Sequence, residues 1–221
     1  MIKDKIVHHK VEQNTEEWFV LRRGRITASV IKSIMGIKGI GAGAKTLAKK
    51  LAMEIAIPSY EARHFSTEWM EHGHEFEDVA RIKFSKATGL IVKDGGFFSL
   101  GDHAGVSPDG IIYNTDGSIT LTEIKCPDYQ NHLECLETGE MDGQYKHQVQ
   151  FQMAAAKARD CYFISYLDSE DDSLEKFPEE QKLFWTLIEA DKEHQALIME
   201  RIQLFKEMVE KYVRVIKGVK G

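Results

Sequence analysis

Through the first ninety residues apolar positions recur at three- and four-residue spacing, the period of helices packed on one face. Asn14 with Glu17 in the capping-box position opens a short helix to about Arg22. Gly24 breaks it, and Thr27 caps a second helix that ends at Gly36. Four glycines between Gly36 and Gly43 predict a flexible loop. A helix from Lys45 to Ile57 is stopped by Pro58, and a long one runs from about Thr67 to Ala87, closed by Gly89. The period then changes. Short β-prone runs appear at Leu90–Val92, Gly96–Leu100, Gly110–Tyr113 and Ile119–Cys126, punctuated by Asp-Gly turns at 109–110 and 116–117. Helices from about Tyr129 to Glu137 and from Asp142 to Arg159 follow, then strands at Cys161–Leu167 and Lys182–Glu189. Asp191 caps a final amphipathic helix to about Ile216. With no repeat and no linker, this pattern predicts one mixed α/β domain over residues 1–221.

Composition changes this picture little. A chain of 221 residues, 43% hydrophobic and 29% charged, is ordinary for a globular protein. No apolar run approaches the roughly 20 residues needed to span a bilayer. Met1 to Lys10 lacks the hydrophobic stretch of a secretory signal. Cys126, Cys135 and Cys161 are too few and too scattered for a disulfide framework or a four-thiolate metal site, so a cytoplasmic location is expected. The net charge of −6 argues only weakly against a nucleic-acid partner, because binding depends on where charge sits rather than on its sum.

Candidate chemistry concentrates on two neighbouring strands. Ser107-Pro108-Asp109-Gly110 opens one, and Glu123-Ile124-Lys125 lies on the next, with the turn at 116–117 bringing them together. Period-2 alternation sets Glu123 and Lys125 on one face and turns Ile124 into the packing. Two carboxylates beside an ammonium suit phosphodiester hydrolysis, whose slow uncatalysed rate demands accelerations of up to ~10¹⁷-fold. A hard divalent cation supplies much of this, and magnesium needs only a few oxygen ligands because it keeps several waters. Without the cation, two carboxylates 4 Å apart repel by ~4 kcal/mol at an effective dielectric of 20. The same letters also fit the solvated face of an ordinary hairpin.

Three further features bear on that choice. Glu77 falls in the apolar seam Met70, Gly73, Phe76, Ala80, Phe84, Ala87 of the long helix, where a carboxylate needs a partner: a shared metal ion, or a neighbour such as Arg81. Gln148 shares a helix face with Tyr145, while Gln150 points elsewhere; an amide there could bond water or phosphate, or simply face solvent. Arg22, Arg23 and Arg25 stand near a helix start, where Arg22 and Ser29 could clamp a terminal phosphate, although a generic basic turn reads the same.

In this order, the pieces resemble the lambda exonuclease and YqaJ-like viral recombinase family of the PD-(D/E)XK nucleases. The resemblance rests on Trp18-x-x-Leu21-Arg22-x-Gly24-x-Ile26-Thr27-Ala28-Ser29, Gly73-His74-Glu75-Phe76-Glu77 with Ala80-Arg81, Ser107-Pro108-Asp109-Gly110, Glu123-Ile124-Lys125-Cys126-Pro127 and Gln148-Val149-Gln150. It implies an α/β restriction-endonuclease-like core, a central mixed β-sheet flanked by helices. It implies a Mg²⁺-dependent enzyme, with Mn²⁺ substituting and no iron–sulfur cluster, that digests linear double-stranded DNA from free ends. Digestion would run 5′ to 3′ with a 5′-phosphate preference, leaving a 3′ single-stranded tail. It further implies a homotrimeric ring, a phage or prophage origin and a single-strand annealing recombination partner. Residue by residue, Asp109, Glu123 and the Ile124 carbonyl resemble metal ligands, and Glu77 a carboxylate near a second metal. Lys125 resembles the catalytic lysine, Gln148 a supporting glutamine, and Arg22 and Ser29 the 5′-phosphate contacts, with Arg25 grouped beside them as DNA-binding. Trp69 or Met70 could wedge against the terminal base pair.

Rival readings have less behind them. Gly39-x-x-x-x-Ala44-Lys45-Thr46 is one residue short of a phosphate-binding loop, and Ala44 stands where that loop needs glycine. A non-enzymatic DNA-binding module would explain the arginines but not the carboxylates. A site-specific endonuclease of the same superfamily remains a competitor, and supercoiled circles distinguish it. His72 and His74 point to different helix faces, and Cys126 suits a small buried position.

Overall fold

The structure, a computed structural model, describes residues 5–60, 68–167 and 176–219, with the side chains of 68–75 outside the described set. Chain order begins β1 (Ile6–His9), α1 (Glu16–Arg22), β2 (Ile26–Thr27), β3 (Met35–Gly36), β4 (Gly39–Ile40) and α2 (Ala44–Ala56). It continues with α3 (Glu68–Thr88), β5 (Phe97–Leu100), β6 (Ala104–Val106), β7 (Gly110–Tyr113), β8 (Ile119–Lys125) and α4 (Tyr129–Thr138). Then come α5 (Lys146–Ala156), β9 (Asp160–Tyr166), β10 (Leu183–Glu189) and α6 (Lys192–Ile216).

The strands divide into two four-stranded mixed sheets, β10-β9-β8-β7 and β1-β5-β6-β2, and a small β3-β4 hairpin. In the first sheet β8 runs parallel to β9 and antiparallel to β7, with Gly110 opposite Thr122 and Tyr113 opposite Ile119. Alternation along β8 sorts its side chains between two cores. Ile124 packs with Ala80 and Phe84 of α3 and with Ile112, Ile164 and Tyr166. Leu121 joins Val149 and Met153 of α5, Ile198, Ile202 and Phe205 of α6, and Ala48 and Leu51 of α2. Both faces are therefore covered, so the strand is buried from Thr120 to Ile124, its polar Thr120, Thr122 and Glu123 included.

Several predicted elements shift, each for a local reason. Thr15, not Asn14, caps α1, its hydroxyl accepting from the Trp18 amide, while Asn14 takes the left-handed conformation that Asn tolerates (φ 65°). Thr27 caps no α-helix. Its strand pairs in parallel with β6, and Ala28–Ile34 coils as a 3₁₀ helix, so the helix-dipole argument for an anion there has no helix to rest on. The glycine loop is a built hairpin, with Met35 opposite Ile40 and the Gly41 amide donating to the Ile34 carbonyl at 2.9 Å. Leu90–Val92 forms no strand, leaving one bridge from Lys93 to Ile111. Asp109-Gly110 is not a turn but the entry to β7. The segment 142–159 splits into a 3₁₀ turn at Gly143–Tyr145 and α5, which ends where Lys157 adopts φ 54°. Strands β1 and β6 had no sequence signal. Ala87 is exposed, so the seam of α3 ends at Phe84. The predicted start at Thr67 lies outside the described residues, as do the side chains of Trp69, Met70, His72, His74 and Glu75. Asp191 caps α6 as expected, accepting from the His194 amide at 2.9 Å.

Gly110 fits where no side chain can. A Cβ there would stand 2.3 Å from Val92 Cγ1 and 2.6 Å from Thr122 Oγ1. Gly110→Ala should destabilise the protein by about 1–3 kcal/mol, lowering the urea midpoint with little change in m-value.

Candidate active site

The hairpin β7-β8 carries the acidic residues to one end of the sheet. Asp109 immediately precedes β7 and is anchored at both backbone and side chain: its amide donates to the Thr122 carbonyl (3.1 Å), and its Oδ2 accepts from the Ile124 amide (2.6 Å). Glu123 follows on the next strand and is only 1% exposed. Lys125, two residues on and on the same face, reaches back to Glu123 Oε1 and also donates to the Ile124 carbonyl at 3.1 Å. Helix α5 lies over this face. Gln148 donates to Glu123 Oε1, and Gln152, one turn later, donates to Oε2 at 2.7 Å.

Electrostatics here do not balance. Burial pushes the Asp109 carboxyl well above its ordinary value of 3.8, and Glu123 and Glu77 push it further, while Lys125 and the Ile124 amide pull the other way. Burial alone would lower Lys125, but Glu123 and Asp109 outweigh it and hold the ammonium above its ordinary value. The carboxylates around it thus favour the charged form of Lys125. Arg81, the competing partner for Glu77, is engaged by Asp78 and by Asp94 (2.5 Å).

A cleft of about 1020 Å³ joins this cluster to the N-terminal segment. Asp109, Glu123, Lys125, Glu77, Gln148 and Gln152 line it together with Arg22, Arg25 and Ser29. Arg22 sits over the Trp18 ring (4.0 Å to the centroid) and donates to Ser107 Oγ at 3.2 Å. Burial lowers its pKa to about 10, which leaves it charged at neutral pH. Among the described residues it has no carboxylate partner. Arg25 donates to the Leu21 carbonyl and faces Asp102 at 3.7 Å, while Ser29 is exposed beside Thr27. Arg23 has a different task, for its guanidinium holds the carbonyls of Glu54, Ile57, Pro58 and Tyr60 at the end of α2. Gln150 turns away, as its spacing predicted, to bond the Glu189 carbonyl and the Asp191 amide.

Trp18, Ser107 and Gln152 carry weight that the sequence reading did not assign. Gln152 stands four residues after Gln148, a spacing that puts both amides on one helix face and was available in the sequence. Ser107 Oγ accepts from both Trp18 Nε1 (2.9 Å) and Arg22, a junction that only the fold creates.

The YqaJ-like viral recombinase domain matches residues 17–159, well over half of the chain. The chain belongs to that family. Among solved structures, the alkaline exonuclease LHK-Exo from Laribacter hongkongensis is 31% identical, with a TM-score of 0.78 over 92% of this chain and 96% of that one. The same enzyme in complex with dAMP matches at 32% identity over the same shares, also with a TM-score of 0.78. A phage-related exonuclease from Haemophilus somnus 129PT shares the fold at 17% identity, with a TM-score of 0.66 over 89% of this chain and 96% of that one. No curated protein matches the sequence. As a YqaJ-like recombinase domain the protein has the PD-(D/E)XK-like fold, mixed sheets flanked by helices.

The donor set of this YqaJ-like site suits a hard divalent cation. Carboxylates and a main-chain carbonyl are its preferred ligands, and the surplus negative charge that raises Asp109 is the charge such an ion would neutralise. Among the described residues no three His, Cys, Asp or Glu side chains are grouped so that they could hold an ion. Magnesium does not require that, because one or two carboxylates and retained waters suffice.

A carboxyl whose folded pKa is raised binds more protons folded than unfolded in the window just above 3.8, so stability falls as pH rises through it. Asp109→Asn removes that penalty. In chelator, the variant should melt above the parent at neutral pH and lose the advantage near pH 3, read by scanning calorimetry across pH.

Proposed function

We propose that this protein is a divalent-metal-dependent deoxyribonuclease, an exonuclease that digests linear double-stranded DNA from its ends. The observation that carries this reading is one cleft with two chemistries: Asp109, Glu123, Glu77 and Lys125 line it, and so does Arg22, a cation with no carboxylate partner among the described residues. A hydrolytic site needs the first. A site that takes a chain terminus needs something like the second. The kinship with LHK-Exo, an alkaline exonuclease solved with dAMP, supports the same conclusion, and a mononucleotide is the product expected here.

In this reading Asp109, Glu123 and the Ile124 carbonyl would hold Mg²⁺, or Mn²⁺ in its place, with Glu77 available to a second ion. Such an ion would stabilise charge on the phosphoryl oxygens and lower the pKa of the attacking water. Lys125, held protonated, orients that water and offsets the charge that develops in the transition state. Gln148 keeps Glu123 in place by donating to Oε1. Arg22 meets the terminal 5′-phosphate as a bidentate donor, stiffened by the Trp18 ring beneath it, with Ser29 and Arg25 nearby. Strand choice follows from that contact: a 5′-phosphate seated at Arg22 sets cleavage running 5′ to 3′ and leaves a 3′ tail.

The family resemblance supplies the setting. A homotrimeric ring around the duplex would make digestion processive, and the 3′ tail would pass to a single-strand annealing protein in phage recombination within the bacterial cytoplasm. Among the described residues no helix is long and apolar enough to cross a membrane.

With Mg²⁺ and 5′-phosphorylated linear duplex, the parent should release mononucleotides, and Glu123→Gln or Lys125→Ala should release essentially none. Excess chelator should stop the parent, and supercoiled circles should survive; cutting of the circle would favour a site-specific endonuclease. Arg22→Ala should erase the rate difference between 5′-phosphoryl and 5′-hydroxyl ends in a gel assay, while leaving Mn²⁺ affinity intact.

A further inference from the structure

Gln152 is 1% exposed, yet it carries an amide into the least accessible part of the cleft. Its Nε2 donates to Glu123 Oε2 at 2.7 Å and to the Ser107 carbonyl at 3.4 Å. Its Oε1 is buried with no hydrogen-bond partner among the described residues. A methionine would fill similar space without an unpaired acceptor, so packing alone does not account for an amide here. The carboxylate it meets does. Glu123 is as deeply buried as Gln152, and its two oxygens are served unequally. Lys125 and Gln148 both donate to Oε1, whereas among the described residues Gln152 is the one donor to Oε2.

We propose that Gln152 is a positioning residue, which fixes the orientation of the Glu123 carboxylate and ties it through Ser107 to the wall that carries Arg22. Without this bond, the two donors on Oε1 are free to swing the carboxylate toward Lys125 and away from the metal. The link to the other wall is short. Gln152 bonds the Ser107 carbonyl, and Ser107 Oγ accepts from Arg22 and Trp18, so the acidic and basic ends of the cleft are joined by one side chain and one residue of backbone. The glutamine thus sets the metal-facing carboxylate relative to the phosphate contact. This inference rests on the nuclease reading above.

The test uses two variants of the full chain. Gln152→Met keeps the volume and removes the donor; Gln152→Asn keeps the amide and withdraws it by one methylene. Three quantities are measured: Mn²⁺ affinity without DNA, from the electron paramagnetic resonance signal of free ion; kcat and KM on 5′-phosphorylated duplex; and the Tm in chelator. Outer-shell partners of metal ligands typically contribute about 10- to 100-fold in affinity or activity. Both variants should lose kcat and Mn²⁺ affinity in that range, with KM within about twofold and the Gln152→Met Tm no lower than the parent's. A folded variant with parental kcat and parental Mn²⁺ affinity overturns the proposal, and so does a defect confined to KM. If the parent itself fails to cut DNA, the nuclease reading falls, while the Mn²⁺ comparison still decides whether Gln152 positions Glu123.

Discussion

Crowded negative charge at the open end of β7 and β8 governs the rest of this structure. Asp109, Glu123 and Glu77 line one cleft, and one ammonium, Lys125, sits among them. Water cannot dilute the repulsion, because Glu123 is nearly inaccessible. The fold must therefore hold these groups by hydrogen bonds, and Asp109 and Glu123 are tethered from different elements. The Ile124 amide holds Asp109, while Gln148 and Gln152 of α5 hold Glu123.

The second constraint is distance between unlike chemistries. Among the described residues Arg22 pairs with none of the carboxylates that line the cleft. Trp18 beneath its plane and Ser107 at its edge keep it apart. The N-terminal segment reaches this position because β2 pairs in parallel with β6 in a second sheet, which places its arginines opposite the hairpin. A net charge of −6 coexists with a cluster of arginines, because the carboxylates and Arg22 and Arg25 line one cleft without Arg22 pairing with an acid among the described residues.

Neighbouring arginines in this segment illustrate how little local sequence says about role. Arg22, Arg23 and Arg25 sit within four residues, yet Arg23 ends α2 by holding four main-chain carbonyls, and Arg25 is drawn toward Leu21 and Asp102. Arg22 alone of the three rests on an aromatic ring with no carboxylate beside it among the described residues.

What the sequence by itself determined were the features written in short-range periodicity. The hairpin that pairs Gly110 with Thr122, the shared face of Glu123 and Lys125, the burial of Ile124 beside Phe84, and the cap at Asp191 all follow from spacings of two, three or four residues. The family resemblance rested on the same local motifs. Tertiary structure decided what depends on contacts across many residues. Strands β1 and β6 exist because they pair with β5, and the 3₁₀ turn after Thr27 replaces a helix because β2 is drawn into that sheet. The glycine-rich stretch is ordered by packing onto the Ile34 carbonyl. Likewise the Ser107 junction joins positions 85 and 89 residues apart. Spacing along the chain cannot encode such meetings, because the free energy that stabilises them comes from burial and hydrogen bonds that exist only once the distant partners have met.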